Sequence, residues 1–546
     1  MANIIKPPCD EGVILSGGAV VGCRPAQRRW ILAATILASS MAFIDGTAVN
    51  VALPFLQQSL GATAIGVQWV IEGYSLFLSA LLLVGGSLGD HSGRRKIFLA
   101  GVTIFALASV GCGLAGSVGQ LILARAIQGI GGALLVPGSL SIISASFAVE
   151  ERGKAIGTWS GFSAITTALG PVVGGWLIEN VSWRAVFFIN LPLALAVIII
   201  SLCCVPESRD REAAGALDWW GAILATAGLG GLVYGLVESP SMGFRARPVI
   251  LALSLGVVAL VAFLIYESRT PRPMLPLNLF RSRNFSGANL LTLLLYAALS
   301  SVLFFLPLNL IQVQNYSATA AGAAFLPFIL IMFLLSRWAG GLVDRFGPRM
   351  ALVVGPLICA AGYGAFMLPG IGGSHSGRYN WSGFNWSGSY WTTFFPAIVI
   401  LGVGMAISVA PLTTTVMTSV SEAHAGIASG INNAVSRTAG LLAIAVLGIV
   451  MLQTFARGFE PGLAAIDIPA PARAQLIMQE VRLAGIELPA ELSAAQKSQI
   501  ETVIGVSFVR GFRLVSLIGA ALAAAGGLAA GLMIQPGKGK GNGSRS

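Results

Sequence analysis

The stretch Gly86-Ser-Leu-Gly-Asp-His-Ser-Gly-Arg-Arg95 recurs later in the chain as Gly340-Gly-Leu-Val-Asp-Arg-Phe-Gly-Pro-Arg349. Gly, Leu, Asp, Gly and Arg stand at the same spacing in both copies, and each copy separates two apolar runs. The repeat predicts two related halves. Glycines let helix ends approach closely, and the acid can pair with arginines at a helix terminus. We interpret the two copies as gating loops, with a static turn as the alternative; their key residues are Gly86, Asp90, Gly93, Arg94, Arg95, Gly340, Asp344, Gly347 and Arg349.

Composition places the rest of the chain in a membrane. Of 546 residues, 55% are hydrophobic and 10% are charged, and the mean hydropathy is +0.82, whereas a soluble domain is about a quarter charged. A spanning helix needs roughly 20 mostly apolar residues. We count about fourteen such runs, near residues 30–55, 67–88, 97–116, 120–146, 154–178, 185–205, 219–237, 248–267, 287–310, 322–342, 350–368, 393–417, 425–452 and 511–534. The prediction is an all-α integral membrane protein.

Basic residues indicate the orientation of the spans. The formal net charge of +11 comes from short Lys and Arg clusters that fall mostly on one side of the predicted spans, and such clusters mark the cytoplasmic side. An even number of spans then puts both termini in the cytoplasm, at a plasma membrane or inner membrane. A nucleic-acid partner is not expected, because the clusters form no single basic face.

The repeat and the runs together predict the domain organisation. A cytoplasmic tail at 1–29 precedes a six-helix bundle at 30–210, a two-span insert at 211–272 and a second six-helix bundle at 273–534. A basic tail follows at 535–546. An outer connection at about 453–510 interrupts the second bundle, and its stretch Ala474–Leu483 is a candidate amphipathic helix.

Three ionisable residues stand out inside the predicted spans: Asp45, Glu72 and Arg125. Each must face a cavity, form a pair or take up a proton, because an ionised group in hydrocarbon is costly. At about 1.5 Å per residue, Glu72 and Arg125 lie roughly 7 Å from the outer ends of their spans, and Asp45 roughly 15 Å. We therefore expect Glu72 to pair with Arg125, with Asp45 one to two turns deeper. Burial favours a neutral acid and a nearby Arg favours the carboxylate, so this cluster is suited to proton coupling; a static buried pair is the alternative.

Several further phrases match a known family. They are Asp45-Gly-Thr-Ala-Val-Asn-Val-Ala-Leu-Pro54 in the first span, Arg125-x-x-Gln128-Gly-x-Gly-Gly132 in the fourth, Gly170-Pro171-x-x-Gly174-Gly175 in the fifth, and Trp183-Arg-Ala-Val-Phe-Phe-Ile-Asn-Leu-Pro192 before the sixth. With the paired loops, they make the chain resemble the fourteen-span drug:proton antiporter branch of the major facilitator superfamily. The resemblance covers nearly the whole chain.

This resemblance implies two six-helix bundles with two inserted helices, and export of small amphipathic or cationic compounds in exchange for protons. The antiporter phrase it implies consists of Gly157, Gly170, Pro171, Gly174 and Gly175, although Thr166 stands where a glycine is usual. Glycines in this span also allow close helix contact, which is the simpler interpretation. A proton-coupled importer or exporter of one metabolite is the main alternative, and a membrane sensor is a distant one.

Polar residues in the spans are candidates for the substrate cavity. They are Asn50, Gln128, Asn432, Asn433 and Arg437. Asn433 and Arg437 lie one helical turn apart on one face, where they would line the cavity or meet lipid head groups. No nucleophile, metal or nucleotide-binding pattern is present, so we expect no enzyme activity and no cofactor, with a proton gradient as the energy source. We expect a monomer, because each chain holds both bundles; a periplasmic adaptor partner stays open.

Overall fold

The computed structural model describes residues 25–147, 149–209, 218–271, 273–370, 390–420 and 425–535, and this part of the chain is almost wholly helical. Its α-helices are α1 (Pro25–Leu60), α2 (Ala64–Ser92), α3 (Arg94–Leu114), α4 (Val118–Ser146), α5 (Val149–Asn180), α6 (Ala185–Phe188), α7 (Asn190–Cys204), α8 (Trp219–Met242), α9 (Arg247–Arg269), α10 (Arg283–Leu308), α11 (Ala318–Ala323), α12 (Leu326–Phe346), α13 (Pro348–Ala365), α14 (Tyr390–Thr418), α15 (Ala425–Ala464), α16 (Ala470–Met478) and α17 (Ala494–Met533). Short 3₁₀ segments at Leu277–Arg281 and Glu480–Gly485 and a π-helical turn at Asn309–Val313 complete the described elements.

Thirteen segments of the described chain are long and apolar enough to cross a membrane. The remaining predicted span, 154–178, lies in α5, which has 32 residues. This helix is long enough to span a membrane, and the count of thirteen covers only the described residues. The all-α membrane fold is therefore confirmed, and the count of fourteen spans, like the cytoplasmic position of both termini, stays a prediction.

Serine residues fix the starts of several helices. Ser117 and Ser282 accept hydrogen bonds from backbone N–H groups three residues on, at the starts of α4 and α10. Ser493 and Gln496 form a reciprocal capping box at the start of α17. Such caps satisfy N–H groups that have no partner within the helix. They place each helix start at a definite residue, which hydropathy alone does not.

The chain divides into two compact units. One contains the chain up to Val49, then Val70–Gly231 and Leu255–Leu277; the other contains Asn50–Trp69, Leu232–Ser254 and the chain from Asn278 onward. The end of α1 and the start of α2 thus group with the second unit. The predicted division at 30–210, 211–272 and 273–534 follows span order and remains a prediction.

The first unit has a continuous apolar core. Phe98, Phe105, Leu135 and Val197 of α3, α4 and α7 are fully buried within it. By contrast, only 17% of the most apolar stretch of α9 is buried inside the protein. An apolar helix surface that faces outward suits contact with lipid.

The connection predicted at about 453–510 is more ordered than expected. Helix α15 continues to Ala464 and α17 begins at Ala494, so helix occupies much of the predicted loop. The small helix expected at Ala474–Leu483 lies four residues earlier, at Ala470–Met478. The predicted N-terminal tail lies outside the described residues up to residue 24, and the predicted C-terminal tail lies outside them from residue 536.

Candidate functional site

Asp45 of α1 and Arg125 of α4 form a buried ion pair. The exposed fraction of Asp45 is 0% and that of Arg125 is 1%. Arg125 Nη1 donates directly to Asp45 Oδ2. A buried charge persists only when it is paired and its remaining lone pairs are satisfied. The hydrogen bonds around this pair therefore decide how firmly it is held.

Two amide side chains complete the coordination of Asp45. Gln128 Nε2 donates to Asp45 Oδ1 at 2.9 Å and to Ser109 Oγ at 2.9 Å. Asn190 Nδ2 donates to the same two atoms at 3.3 and 3.2 Å. Helices α1, α3, α4 and α7 thus meet at one carboxylate. We call Asp45, Ser109, Arg125, Gln128 and Asn190 the Asp45 network.

Arg125 makes further contacts with α2. Its Nε donates to the Val70 carbonyl at 3.1 Å, and its guanidinium lies 4.2 Å from the centre of the Tyr74 ring. A cation over an aromatic face is attracted by the ring's negative face. Arg125 therefore joins α2 to the Asp45 network without using a carboxylate of α2.

The predicted ion pair between Glu72 and Arg125 is wrong. Glu72 is fully buried, and neither of its carboxyl oxygens has a hydrogen-bond partner in the described part of the chain. Val70 and Tyr74, which contact Arg125, lie four residues apart on one face of α2. Glu72 lies two residues from each, about 200° around the helix. The depths estimated along the spans stay a prediction, and depth does not specify the helix face.

Glycines of α5 bring this helix against the residues that flank Asp45. A Cβ atom at Gly170 would overlap Thr47 Oγ1, and one at Gly174 would lie 2.7 Å from the Ala48 Cβ. Pro171 and Gly175 are also buried in α5. The expectation that Gly157 mediates close contact is wrong, because a Cβ there would meet nothing within 4 Å.

The first gating loop is a tight helix-to-helix turn. Gly93 has a φ of 112°, a region that favours glycine, and it precedes α3 directly. Arg94 Nε donates to Asp90 Oδ1 at 2.7 Å. The expected acid–arginine pair is therefore present. Gly86 lies within α2, where a Cβ would be 3.6 Å from Pro137 Cβ, an ordinary contact distance.

Glu207 holds this loop, and the sequence analysis missed it. Its carboxylate accepts the backbone N–H of Arg95 at 3.0 Å and of Lys96 at 3.1 Å, at the start of α3. A Cβ at Gly93 would lie 2.8 Å from Glu207 Oε1, so a larger residue there would have to displace this carboxylate, in addition to the strain from φ. The available signal was a single acid following the sixth span, next to a basic cluster. Asn190 was missed too, although it stands as a polar residue in an apolar phrase.

The second gating loop repeats the backbone of the first. Gly347 has a φ of 76° and directly precedes α13, as Gly93 precedes α3. Arg349 is exposed in the first turn of α13. The side chain of Asp344 and the surroundings of Gly340 lie outside the described part, so pairing in this copy stays a prediction.

The candidate cavity residues have different environments. Gln128 is fully buried in the Asp45 network, and Asn432 donates to Asn289 Oδ1 at 3.2 Å and to Thr292 Oγ1 at 2.7 Å, which joins α15 to α10. These two amides bind protein groups, and their place in the substrate cavity stays a prediction. Asn433 is exposed and donates to the Ser429 carbonyl at 3.1 Å. Asn50 and Arg437 are partly buried.

A small cavity in the second unit is separate from the Asp45 network. Gln57, Gln68 and Gln312 lie in its wall, and Gln57 Nε2 donates to the Arg482 carbonyl at 2.8 Å. Its volume of about 10 Å³ is enough for roughly one water molecule. A drug-sized compound does not fit there. Within the described chain, no group of three or more His, Cys, Asp or Glu side chains is placed to hold a metal ion.

Comparison with known proteins assigns the family. The sequence profile described as Major Facilitator Superfamily matches residues 35–444. The chain belongs to the major facilitator superfamily. As a superfamily member with many membrane-spanning helices, it is a multi-pass membrane transporter of small molecules and not an enzyme.

Curated relatives of this transporter cover most of its length. It is 32% identical to the "Tetracenomycin C resistance and export protein" of Streptomyces glaucescens, over 91% of this chain and 90% of the relative. It is 33% identical to the "Multidrug resistance protein Stp" of Mycobacterium tuberculosis, over 82% and 80%, and 35% identical to the "Puromycin resistance protein pur8" of Streptomyces alboniger, over 82% and 86%.

Solved structures support the fold. A bacterial homolog of the human lysosomal transporter Spinster aligns with a TM-score of 0.63 at 18% identity, covering 93% of this chain and 98% of that one. The xylose transporter XylE from E. coli aligns with a TM-score of 0.55 at 14% identity, covering 94% and 98%. At these identities the likeness concerns the fold alone.

Proposed function

We propose that this transporter exports small amphipathic or cationic compounds, including antibiotics, in exchange for protons, and that Asp45 carries the proton. The observation that carries the proposal is the buried Asp45–Arg125 pair inside the Asp45 network. The antiporter-type glycines Gly170 and Gly174 pack against the same segment of α1. The plasma membrane is the site of action.

The substrate class comes from the relatives. The three curated relatives described above are named for resistance to, or export of, antibiotics and other drugs. Each is about one third identical to this chain over at least four fifths of it. This similarity supports efflux of toxic compounds over import of a nutrient.

Coupling follows from the chemistry of the buried pair. A proton that reaches Asp45 neutralises its carboxylate and removes the charge that holds Arg125 Nη1. Arg125 keeps its bonds to Gln128 and to the Val70 carbonyl, so the link between α1 and α4 weakens while α2 and α4 stay joined. Release of the proton restores the pair. A two-state transporter can be biased in this way, because the proton binds the two states with different affinities.

Glu72 supplies a second protonatable group, on the face of α2 that is turned away from Arg125. Its buried oxygens have no donor in the described chain, and a carboxylate without a donor is costly in such a site. The neutral acid is therefore the resting form. In this scheme Asp45 loses its salt bridge when it takes up a proton, and Glu72 is a second group that can bind or release one.

Uptake into inverted membrane vesicles that contain the purified transporter tests the proposal. A fluorescent lipophilic cation is offered with and without an imposed pH gradient, and native protein is compared with Asp45→Asn. We expect gradient-dependent uptake in the native protein and its loss in the variant. Asp467→Asn is the matched control, because Asp467 is an exposed acid outside the spans.

Two results would count against the proposal. Uptake that survives in Asp45→Asn would remove Asp45 from coupling. A native protein that responds to no compound of a broad panel, with or without the gradient, would favour a transporter of one metabolite. We take the transporter as a monomer and leave the adaptor open; activity of the purified chain alone would show that transport across the membrane needs no adaptor.

A further inference from the structure

Two acidic side chains of the inserted helices α8 and α9 face each other. Asp218 directly precedes α8, and Glu267 lies in the last turn of α9. Both belong to the first compact unit. Neither contacts the Asp45 network, and the sequence analysis assigned no role to these helices.

One oxygen of each carboxyl group has an ordinary structural role. Asp218 Oδ1 accepts the backbone N–H of Gly221 at 2.8 Å, which caps the start of α8. Glu267 Oε2 accepts the backbone N–H of Leu275 at 3.0 Å, in the linker that leads from α9 toward α10. Glu267 thus fastens the linker to the end of the inserted helix.

The other two oxygens have no hydrogen-bond partner in the described chain. They are Asp218 Oδ2 and Glu267 Oε1, and both are inaccessible to solvent. The exposed fraction of Glu267 is 2%. A Cβ atom at Gly221 would lie 2.6 Å from Asp218 Oδ2 and 2.7 Å from Glu267 Oε1. Both free oxygens therefore face the same small space, which the glycine leaves open.

No described cation neutralises the pair. Arg209 and Arg269 are near in sequence, and neither forms an ion pair with these acids. Arg211 and Arg272 lie outside the described residues. Two ionised carboxylates that share a site repel each other, and a buried oxygen without a donor is costly. A single proton between them removes the repulsion and supplies the missing donor.

We propose that Asp218 and Glu267 form a second proton-binding site, distinct from the Asp45 network, which holds one proton between Asp218 Oδ2 and Glu267 Oε1. The proton comes from water on the side of the membrane where α8 begins and α9 ends. Binding one proton changes the charge of the pair from −2 to −1 and creates one O–H···O hydrogen bond. Because Glu267 also holds the N–H of Leu275, the proton stabilises the attachment of the linker.

The pH dependence has a definite sign. The folded pair binds a proton more tightly than the separated acids of the unfolded chain do. The stabilisation that the shared proton gives to the folded protein is therefore complete at acidic pH. It is lost as pH rises and the pair ionises. A more alkaline solution on that side of the membrane loosens the linker between the inserted helices and the second bundle.

Infrared difference spectroscopy of the purified transporter tests for the shared proton. Native protein is compared with Glu267→Gln and with Asp218→Asn at neutral pH. Each variant removes an acid but keeps a side-chain oxygen. Asp218→Asn can still accept the N–H of Gly221 and cap α8, and Glu267→Gln can still accept the N–H of Leu275 in the linker. We expect the same neutral carboxylic acid band to disappear in both variants. In the native protein the band should also fade at alkaline pH.

Thermal unfolding with and without Gly221→Ala provides a second readout. The added methyl group enters the space between the two oxygens, so the fall in melting temperature from neutral to alkaline pH should be reduced. Gly119→Ala is the matched control, because a Cβ at Gly119 meets nothing within 4 Å. The proposal fails if neither variant loses an acid band at neutral pH. It also fails if sodium, potassium or calcium ions stabilise the native protein at neutral pH and Glu267→Gln removes that effect, since the pair would then be a cation site.

Discussion

At the level of single residues, the partners of Arg125 determine the architecture of the site. It bonds to Asp45 on α1, to Gln128 on its own helix and to a carbonyl on α2. The sequence predicted that Asp45, Glu72 and Arg125 lie near one another, because ionisable residues in spans are rare. It predicted the wrong pair, because depth along a span does not specify the helix face.

Removal of Asn190 should shift the pH dependence of transport. Asn190→Ala deletes one donor to the Asp45 carboxylate, which favours the neutral acid. A hydrogen bond to a charged group contributes about 1.5–3 kcal/mol, so the pH of half-maximal transport should rise by about one to two units. Uptake of the fluorescent cation into vesicles, measured at a series of pH values for the native protein and for Asn190→Ala, tests this.

Asn180→Ala is the control for that series, because Asn180 is exposed and donates only to the Trp176 carbonyl of its own helix. An unchanged pH profile in Asn190→Ala would show that Asn190 does not tune Asp45. A downward shift would contradict the direction derived from the hydrogen bond.

Glu72 and Arg125 should differ in their effects on stability. Glu72→Gln replaces a neutral acid by a neutral amide, so the free energy of unfolding should change by less than about 1 kcal/mol. Arg125→Met leaves Asp45 buried without its charge partner, which should cost about 3–5 kcal/mol. Thermal unfolding in detergent at neutral pH measures both. Equal destabilisation by the two variants would mean that Glu72 is an ionised structural partner.

At the level of helices, contact between α5 and α1 connects the antiporter-type glycines with Asp45. The sequence identified these glycines, but it could not tell which of them touch another helix. Gly170 and Gly174 contact α1, whereas Gly157 faces open space. Helix spacing alone cannot reveal this, because it depends on the packing partner.

Gly170→Ala should therefore be far more damaging than Gly157→Ala, although both add one methyl group to the same helix. The added Cβ at residue 170 overlaps Thr47 Oγ1, and overpacking of this kind costs about 1–3 kcal/mol. We expect transport to fall at least about tenfold in Gly170→Ala and to be nearly unchanged in Gly157→Ala. Equal activity of both variants at equal expression would contradict the contact.

Outside the membrane spans, the segment Glu480–Gly485 should respond to pH. Burial, and then the facing Glu460 carboxyl, raise the pKa of Glu480. The folded form therefore binds a proton more tightly than the unfolded form, and the stabilisation is lost as pH rises through that raised pKa. Hydrogen exchange of residues 470–492, corrected for the intrinsic rate, should show less protection at neutral than at acidic pH.

Glu480→Gln should remove most of this pH dependence, because the amide cannot ionise. Glu491→Gln is the control, since Glu491 is exposed. Protection that rises with pH in the native protein would show that the Glu480 carboxylate has a stabilising partner and not a repelling one.

For the whole molecule, the apolar runs were sufficient to predict the all-α membrane fold, and the repeated loop together with the further sequence phrases was sufficient to predict the family. Hydropathy located the apolar part of each span but not the full helix, because backbone hydrogen bonding continues into polar flanks. Thus the run predicted at 425–452 belongs to a helix that ends at Ala464, and the run at 511–534 to one that begins at Ala494. Hydropathy also gives no information on contacts between distant parts of the chain, such as the hydrogen bonds from the start of α3 to Glu207.

The central claim is that substrate and proton move in opposite directions through one transporter and that Asp45 links them. The most direct test uses sealed proteoliposomes with a pH-sensitive dye inside and a substrate gradient as the sole driving force. We predict that substrate leaving the vesicles down its gradient drives protons inward, so the interior acidifies, and that Asp45→Asn abolishes this proton movement. Substrate flux with no proton movement, or with protons leaving alongside the substrate, would contradict the account.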